Sequence, residues 1–372
     1  MHVGLVRRRF TERKGGAESY AVSTARALVE KGCRVTVFAE RFDIGPEPSM
    51  EYVPVANINK RTFLTHLLFV RGLRRALRSR PVDVVLSMAR ADCADVYRSG
   101  DPLFLHWIGR HEPTPTDRML GWLNPKQRSL LQLERRIFRS ARIRRVIALS
   151  RMEARLMRRY YAVPQRKIRV LHNGVDTRRF NPSVRERRRV VRGRLGIDLR
   201  RPVALFVGME FKRKGLAHAI DAVARTDALL LVAGAGREEP YRRRATRLGC
   251  ERRVLFLGRH SPMEDLYGAA DVFLLPTLYD PFCNAVMEAM ACGLPVVVGE
   301  EAGAAEIVRR GESGFVIDNE RDPAKTAGQL TTALEARDRM GREAARDAAG
   351  RTMERYAERL IALLNEARRE EI

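Results

Sequence analysis

Residues 271–298, DVFLLPTLYDPFCNAVMEAMACGLPVVV, restrict the fold more than any other stretch of this chain. An apolar run from Val272 to Leu275 reads as a strand, Pro276 ends it, and Asp280-Pro281 opens a turn. Val286, Met287 and Met290 then recur at helical spacing, and Gly293 and Pro295 stop that helix before a second apolar run. Strand, loop, short helix and strand in this order make one unit of a parallel sheet. Open sheets of this kind bind ligands at the carboxyl ends of their strands, where the loop and the free amides of the helix lie. Two carboxylates flank the position: Asp280 before the helix and Glu288 in its second turn. A carboxylate in a mostly apolar helix is costly without a partner, and a ribose offers two hydroxyl donors that one carboxylate accepts together. Glu288 is the candidate nucleoside contact, and the helix amides near Asn284 and Ala285 would add their dipole to an anion.

The same βαβ logic opens both halves of the chain. His2 to Val6 is a strand, Ala21, Val22, Ala25, Leu28 and Val29 mark a helix, and Arg34–Ala39 is the next strand. Gly15-Gly16 lies just before that helix, where glycines let backbone amides approach a substrate oxygen. Further on, Pro202-Val203 to Gly208 is a strand, and the loop MEFKRKG follows it. There Arg213 and Lys214 put a bidentate fork and a point charge where a phosphate would sit. Leu229–Gly236 and Val254–Gly258 are further strands, and Arg259-His260 in the last exit loop would border a base. The run GAGREE lacks the third glycine of a dinucleotide fingerprint, which argues against a nicotinamide cofactor.

In the first half, residues 62–80 place Phe63, Leu64, Leu67, Leu68, Val70, Leu73 and Leu77 on one side of an expected crossover helix. A strand Val82–Ser87 and a loop with Asp92, Asp95 and Asp101 follow. His106 and His111 fall in a stretch read as irregular, without metal-binding helix spacing. Residues 103–140 interleave Phe104, Trp107, Trp122 and Phe138, read as exposed, with Arg110, Arg118, Lys126, Arg128, Arg135, Arg136 and Arg139, a composition suited to a lipid headgroup interface. Val146–Ser150 is expected to be the last strand of the first domain, KIRVLHNGVDTRRFNP reads as strand, turn at Asn173-Gly174 and linker, and the boundary should fall near residue 178.

With 372 residues the chain exceeds one typical core and fits two domains. No run of eighteen apolar residues occurs, and the amino terminus leads directly into a strand, so a cytoplasmic protein is expected. Five cysteines without a C-x-x-C pair point to reduced thiols rather than a disulfide framework or a zinc site. A formal charge of +25 has two readings: arginine-rich composition alone, or a basic face meeting anionic phosphate on a membrane, a substrate or nucleic acid.

The acid, seven residues and glutamate from Asp280 to Glu288, set in strand, proline, short helix and Gly-x-Pro-Val, resembles the signature of retaining nucleotide-sugar glycosyltransferases of the glycogen synthase-like, group 1 type. It departs from that pattern in carrying Asp280 where the family usually has glutamate, which bears on donor-sugar identity. The resemblance implies the GT-B fold, an α/β architecture of two Rossmann-like domains facing across a deep cleft: residues 1–177 for the acceptor, 178–350 for the donor, and 351–372 as a helix crossing back to the first domain. Within it, DVYRSGDPLFLHW is similar to the place where lipopolysaccharide core glucosyltransferases, the nearest group, carry an aspartate facing the reacting sugar. That role passes to Asp101. Gly15, Gly16 and His106 would stand on the acceptor side, with Gly16 also bordering the donor diphosphate.

The implied activity is transfer of a hexose, glucose foremost, from a UDP-sugar to a lipopolysaccharide core or other lipid-linked acceptor, with anomeric configuration retained. Arg213, Lys214 and the helix amides would hold the diphosphate, Glu288 the ribose, and Asp280 the sugar hydroxyls. No D-x-D motif occurs, so neither metal nor other cofactor is expected. Partners would be the donor, the acceptor and an anionic surface at the inner face of the cytoplasmic membrane. Two other readings stay open: a non-hydrolysing nucleotide-sugar epimerase of the same architecture, and a basic nucleic-acid-binding protein, for which no recognised motif is present.

Overall fold

The computed structural model describes residues 1–12, 15–45, 47–56, 65–111, 124–319 and 322–369. The chain forms two compact units, Met1–Asn173 with Met353–Ile372, and Gly174–Thr352. The first division falls within the Asn173-Gly174 turn, slightly before the expected 178.

In the first unit the strands are β1 (His2–Val6), β2 (Arg9–Phe10), β3 (Arg34–Ala39), β4 (Arg41–Phe42), β5 (Met50–Pro54), β6 (Val84–Ser87), β7 (Val96–Arg98), β8 (Arg145–Ala148) and β9 (Ile168–Val170). Seven of them make a parallel sheet in the order β5-β3-β1-β6-β7-β8-β9, while β2 and β4 pair separately. The chain runs outward from β1 in one direction through β3 and β5, then outward in the other from β6. The β1/β6 boundary is therefore the point where connections diverge and a crevice opens at the carboxyl ends. Strands such as VVLS and RVIA are buried along their whole length, as a sheet covered on both faces requires.

The second unit repeats this with β10 (Val203–Val207), β11 (Leu229–Ala233), β12 (Val254–Gly258), β13 (Val272–Leu275), β14 (Val296–Gly299) and β15 (Gly314–Ile317). All are parallel, in the order β12-β11-β10-β13-β14-β15, so the divergence lies between β10 and β13. Helix Asn284–Ala291 follows β13 and buries Val286, Met287, Ala289 and Met290. Gly293, at φ +76°, closes it, with the Leu294 amide donating 3.0 Å to the Ala289 carbonyl. Helices Pro323–Glu335 and Arg337–Ala349 belong to this unit, whereas Met353–Arg369 belongs to the first. There the Tyr356 ring meets that of Tyr20 edge-on at 5.5 Å, and its hydroxyl accepts 3.0 Å from Arg98 Nε.

Several expectations for the first unit need correction. Helix Thr65–Ser79 buries Phe69, Val70, Leu73 and Ala76, while Leu67 points outward at 37% exposure, so its inner face is rotated from the expected one. Phe63, Leu64, Arg118 and Trp122, and the side chains of His111 and Lys126, lie outside the described residues. Phe138 is buried rather than exposed, its ring 6.0 Å from that of Tyr97 and 4.7 Å from that of Tyr161, because helix Pro125–Arg139 turns its apolar side to the sheet. His106 and His111 stand on a helix, Phe104–His111, not in an irregular stretch. Residues 145–148 do not end the sheet, since β9 pairs alongside β8. The short strands β5 and β7 were not anticipated.

Candidate active site

Both loops that carry the expected donor residues exit at the β10/β13 divergence. Gly215 makes their contact possible: it sits at φ +76°, and a Cβ there would lie 1.8 Å from the Pro276 carbonyl oxygen, so only glycine fits. The Thr277 hydroxyl and the Leu278 amide both donate to the Arg213 carbonyl at 2.9 Å, which stitches the loops together.

That apposition puts both cations on one carboxylate oxygen. Asp280 Oδ2 accepts from Lys214 Nζ at 2.6 Å and from Arg213 Nη1 at 2.8 Å. Its Oδ1 accepts from the Phe282 amide at 3.1 Å, and Asp280 is held from both sides by backbone bonds of 2.9 Å to Glu301 and Gly303. Arg213 also donates to the Tyr279 carbonyl at 3.0 Å and to Glu210. All three charged groups are almost buried, with side chains 11% exposed. Burial opposes the charge of Asp280, but Lys214 and Arg213 outweigh it and hold the carboxyl below the usual carboxylate range. The same pairing outweighs burial for Lys214 and raises its ammonium above the ordinary value. Lys214 Nζ additionally donates 3.2 Å to Cys283 Sγ. Cys283 occupies φ +70° as the residue preceding helix Asn284–Ala291, a conformation that favours glycine.

Glu288 projects from the second turn of that helix, half-buried. Its Oε2 accepts 2.7 Å from the hydroxyl of Tyr267, a fully buried side chain. Burial raises the Glu288 carboxyl above its ordinary value, with the Tyr267 bond and the charge of Arg179 working against that rise. Asn284 and Ala285 begin the helix, as expected. Arg259 stands exposed just after β12, two strands from β10.

In the first unit, Gly15 precedes helix Gly16–Glu30 and adopts an extended backbone that any residue could take. Asp101 accepts from Arg90 Nη1 at 3.3 Å; Arg90 also donates to the Pro102 carbonyl at 2.8 Å and lies 3.5 Å from Glu134. His106 is buried, with Nδ1 3.4 Å from the Tyr160 hydroxyl, and packs on that ring. It is a core residue of its helix. At the β1/β6 divergence the structure reveals groups the sequence reading passed over: Arg8 after β1, Glu40 after β3, Arg90 after β6, and His66 in the first turn of helix Thr65–Ser79. Arg8 holds Glu40 through two bonds of 3.1 and 3.0 Å, and its Nη1 is 3.5 Å from His66 Nδ1. Burial, with Arg8 and Arg90 nearby, pushes the imidazole down to about 4, so it is neutral at physiological pH. Position at a strand's carboxyl end was the available signal for Arg8, Glu40 and Arg90; nothing marked His66. Among the described residues, no group of three or more His, Cys, Asp or Glu side chains is arranged to hold a metal ion.

Comparison with known proteins matches this layout. Residues 188–350 fit the family model described as Glycosyl transferases group 1, and residues 14–179 that described as Glycosyltransferase Family 4. A probable transglycosylase of Burkholderia thailandensis is 33% identical over 327 residues, covering 86% of this chain and 83% of the relative. Lipopolysaccharide glucosyltransferase WaaG of Escherichia coli K12 is 22% identical over 310 residues, 82% of each chain. The crystal structure of WaaG superposes with a TM-score of 0.85 over 97% of this chain and 99% of that one. The Anabaena protein HepE, solved in complex with UDP-glucose, gives 0.76 at 19% identity over 98% and 100% of the two chains. The chain belongs to the glycosyl transferases group 1 family and is a glycosyltransferase with the GT-B fold of two Rossmann-like domains.

Proposed function

We propose that this enzyme moves a hexose, glucose foremost, from a UDP-sugar to a lipopolysaccharide core or other lipid-linked saccharide, with retention of anomeric configuration. The observation that carries the donor half is the convergence of Arg213 and Lys214 on a single oxygen of Asp280 at the β10/β13 divergence. In the buried part of the site two cations share one carboxylate, while the second acid on Arg213, Glu210, stands in solvent, and the buried positive excess suits a diphosphate. When the glycosidic bond breaks, negative charge grows on the departing phosphate oxygen, and fixed cations aimed there stabilise the transition state more than the ground state. In this reading they and the amides at Asn284 and Ala285 take the role a divalent metal has elsewhere. Asp280 positions both cations and meets hydroxyls of the donor sugar; Glu288 takes the ribose. Asp101 orients the acceptor or steadies the sugar centre, with Gly15 and Gly16 beside it. His106, packed on Tyr160, supports that side from the core instead of touching the acceptor.

The likeness to WaaG, a lipopolysaccharide glucosyltransferase, and to HepE, solved with UDP-glucose, supports glucose, UDP and a lipopolysaccharide acceptor as first choices. A thermal-shift panel of nucleotide sugars tests the donor, since a ligand bound only by the folded state raises its melting temperature. A UDP-hexose should give the largest shift, and a panel led by another base would overturn the assignment. Product analysis with UDP-glucose alone tests the reaction: formation of an epimer without acceptor would sink it.

A peripheral membrane location is part of the proposal. Among the described residues no helix is long and apolar enough to cross a membrane. Arg71, Arg75 and Arg78 on helix Thr65–Ser79, and Arg128, Arg135, Arg136 and Arg139 on helix Pro125–Arg139, are exposed, a basic face fit for anionic headgroups. Liposome flotation should recover the protein with anionic vesicles and not with neutral ones; equal recovery would count against it.

A further inference from the structure

Glu288 has two possible donors in its surroundings, and the structure distinguishes them. Arg179 is tied to Glu264 through Nε at 2.5 Å and Nη2 at 2.9 Å, and lies over the Phe180 ring at 4.8 Å. Its fork is committed. Tyr267, on helix Met263–Ala269, is committed the other way: its hydroxyl donates 2.7 Å to Glu288 Oε2 and lies 3.5 Å from the Ala285 carbonyl.

The ring that carries this hydroxyl is fixed by packing. It is 0% exposed, edge-on to Phe180 at 5.8 Å, and 6.4 Å from Phe273 of β13. Burial and the neighbouring Glu288 push the phenol well above its ordinary value, so the proton stays on the oxygen and the bond keeps one direction. A glutamate has three rotatable bonds, and freezing them costs roughly 1–2 kcal/mol when substrate binding must do it. Here the phenol has already done so. It occupies one lone pair of Oε2, and among the described residues no hydrogen bond falls on Oε1.

We infer that Tyr267 is the positioning residue for the ribose contact: its buried hydroxyl sets the plane of the Glu288 carboxylate so that Oε1 faces a vicinal pair of sugar hydroxyls. This rests on the assignment of Glu288 to the ribose. Tyr267 itself touches no substrate and acts through Glu288 alone, so its effect must depend on the ribose hydroxyls being present.

That dependence separates the inference from a packing role. Calorimetric titration of the full chain with UDP and with 2′,3′-dideoxy-UDP gives the ribose preference directly. Tyr267→Phe keeps the ring and removes the hydroxyl. It should weaken UDP roughly tenfold while changing 2′,3′-dideoxy-UDP less than about twofold. Glu288→Asp keeps the charge but shortens the reach to the phenol, and should lose the same preference. Tyr267→Phe combined with Glu288→Ala should bind UDP no more weakly than Glu288→Ala alone, as expected for two residues acting as one unit. Equal loss on both nucleotides, or full UDP preference kept in Tyr267→Phe or Glu288→Asp, would overturn the positioning role. Equal affinity of the wild-type chain for the two nucleotides would instead remove the ribose assignment of Glu288, and the inference with it.

Discussion

The two units share a topology and differ in how they distribute charge at the same place. At the β10/β13 divergence, Arg213 and Lys214 share one nearly buried carboxylate, Asp280, and the other acid on Arg213, Glu210, is exposed. At the β1/β6 divergence Arg8 pairs with Glu40, Arg90 faces both Asp101 and the buried Glu134, and a neutral imidazole lies beside Arg8. The first arrangement has more cations than acids among its buried groups, as a diphosphate requires. The second gives each arginine at least one acid and offers donors and acceptors together, as neutral hydroxyls require. One fold thus provides two crevices whose ligand preference depends on how many acids face the cations.

The sharpest break of this contrast is Lys214→Ala. It removes one fixed charge from the leaving-group side and should lower kcat by about 10²- to 10³-fold in a chain that still folds, Arg213 remaining on Asp280. Turnover close to normal would remove the surplus-charge reading. Asp280→Asn acts on stability instead. It leaves two buried cations without their shared acid, and chemical denaturation should show a loss of about 3 kcal/mol. A neutral result would mean that solvent already screens the cluster.

Acidification separates the two carboxylates of the second unit. Glu288 is raised, so it takes up a proton first as pH falls, whereas Asp280 is depressed and keeps its charge well below the usual carboxylate range. For Asp280 the folded value lies under the unfolded one. Its contribution to stability is therefore present above the ordinary carboxylate pKa and is lost only as pH falls through the depressed value. The preference for UDP over 2′,3′-dideoxy-UDP should fade before the fold does; loss of both together would contradict the ordering. The smallest effect is expected in the first unit. Glu40→Gln removes the acid paired with Arg8, which is 32% exposed, and should cost about 0.5–1 kcal/mol with UDP affinity unchanged. A cost equal to that of Asp280→Asn would erase the contrast between the crevices.

How much of this was legible depended on sequence distance. The stretch 271–298 announced itself because strand, loop and helix are all local, and the helix Asn284–Ala291 carries Glu288 in the turn that its spacing implied. Arg213 and Lys214 were visible as a basic loop after a strand. Their meeting on Asp280 was not, because it depends on two loops more than sixty residues apart coming together at a glycine. Tyr267 gave no signal, since a tyrosine among Leu266 and Ala269 reads as ordinary core. In the first unit, β7 has three residues and β5 is only half-buried, too little pattern for a period to show. Phe138 and Leu67 were misplaced for a common reason. On helices dense in arginine, apolar residues occupy more than one face, and packing against the sheet decides which one turns inward.

The glycine at 215 also bears on how such an enzyme can diversify. With the Pro276 carbonyl pressed against it, position 215 has no room for a side chain, and any other residue there would push the two loops apart. New sugar preferences must then arise by exchanging side chains on an unaltered frame. Lengthening the aspartate at 280 by one methylene, to a glutamate, would be an exchange of that kind.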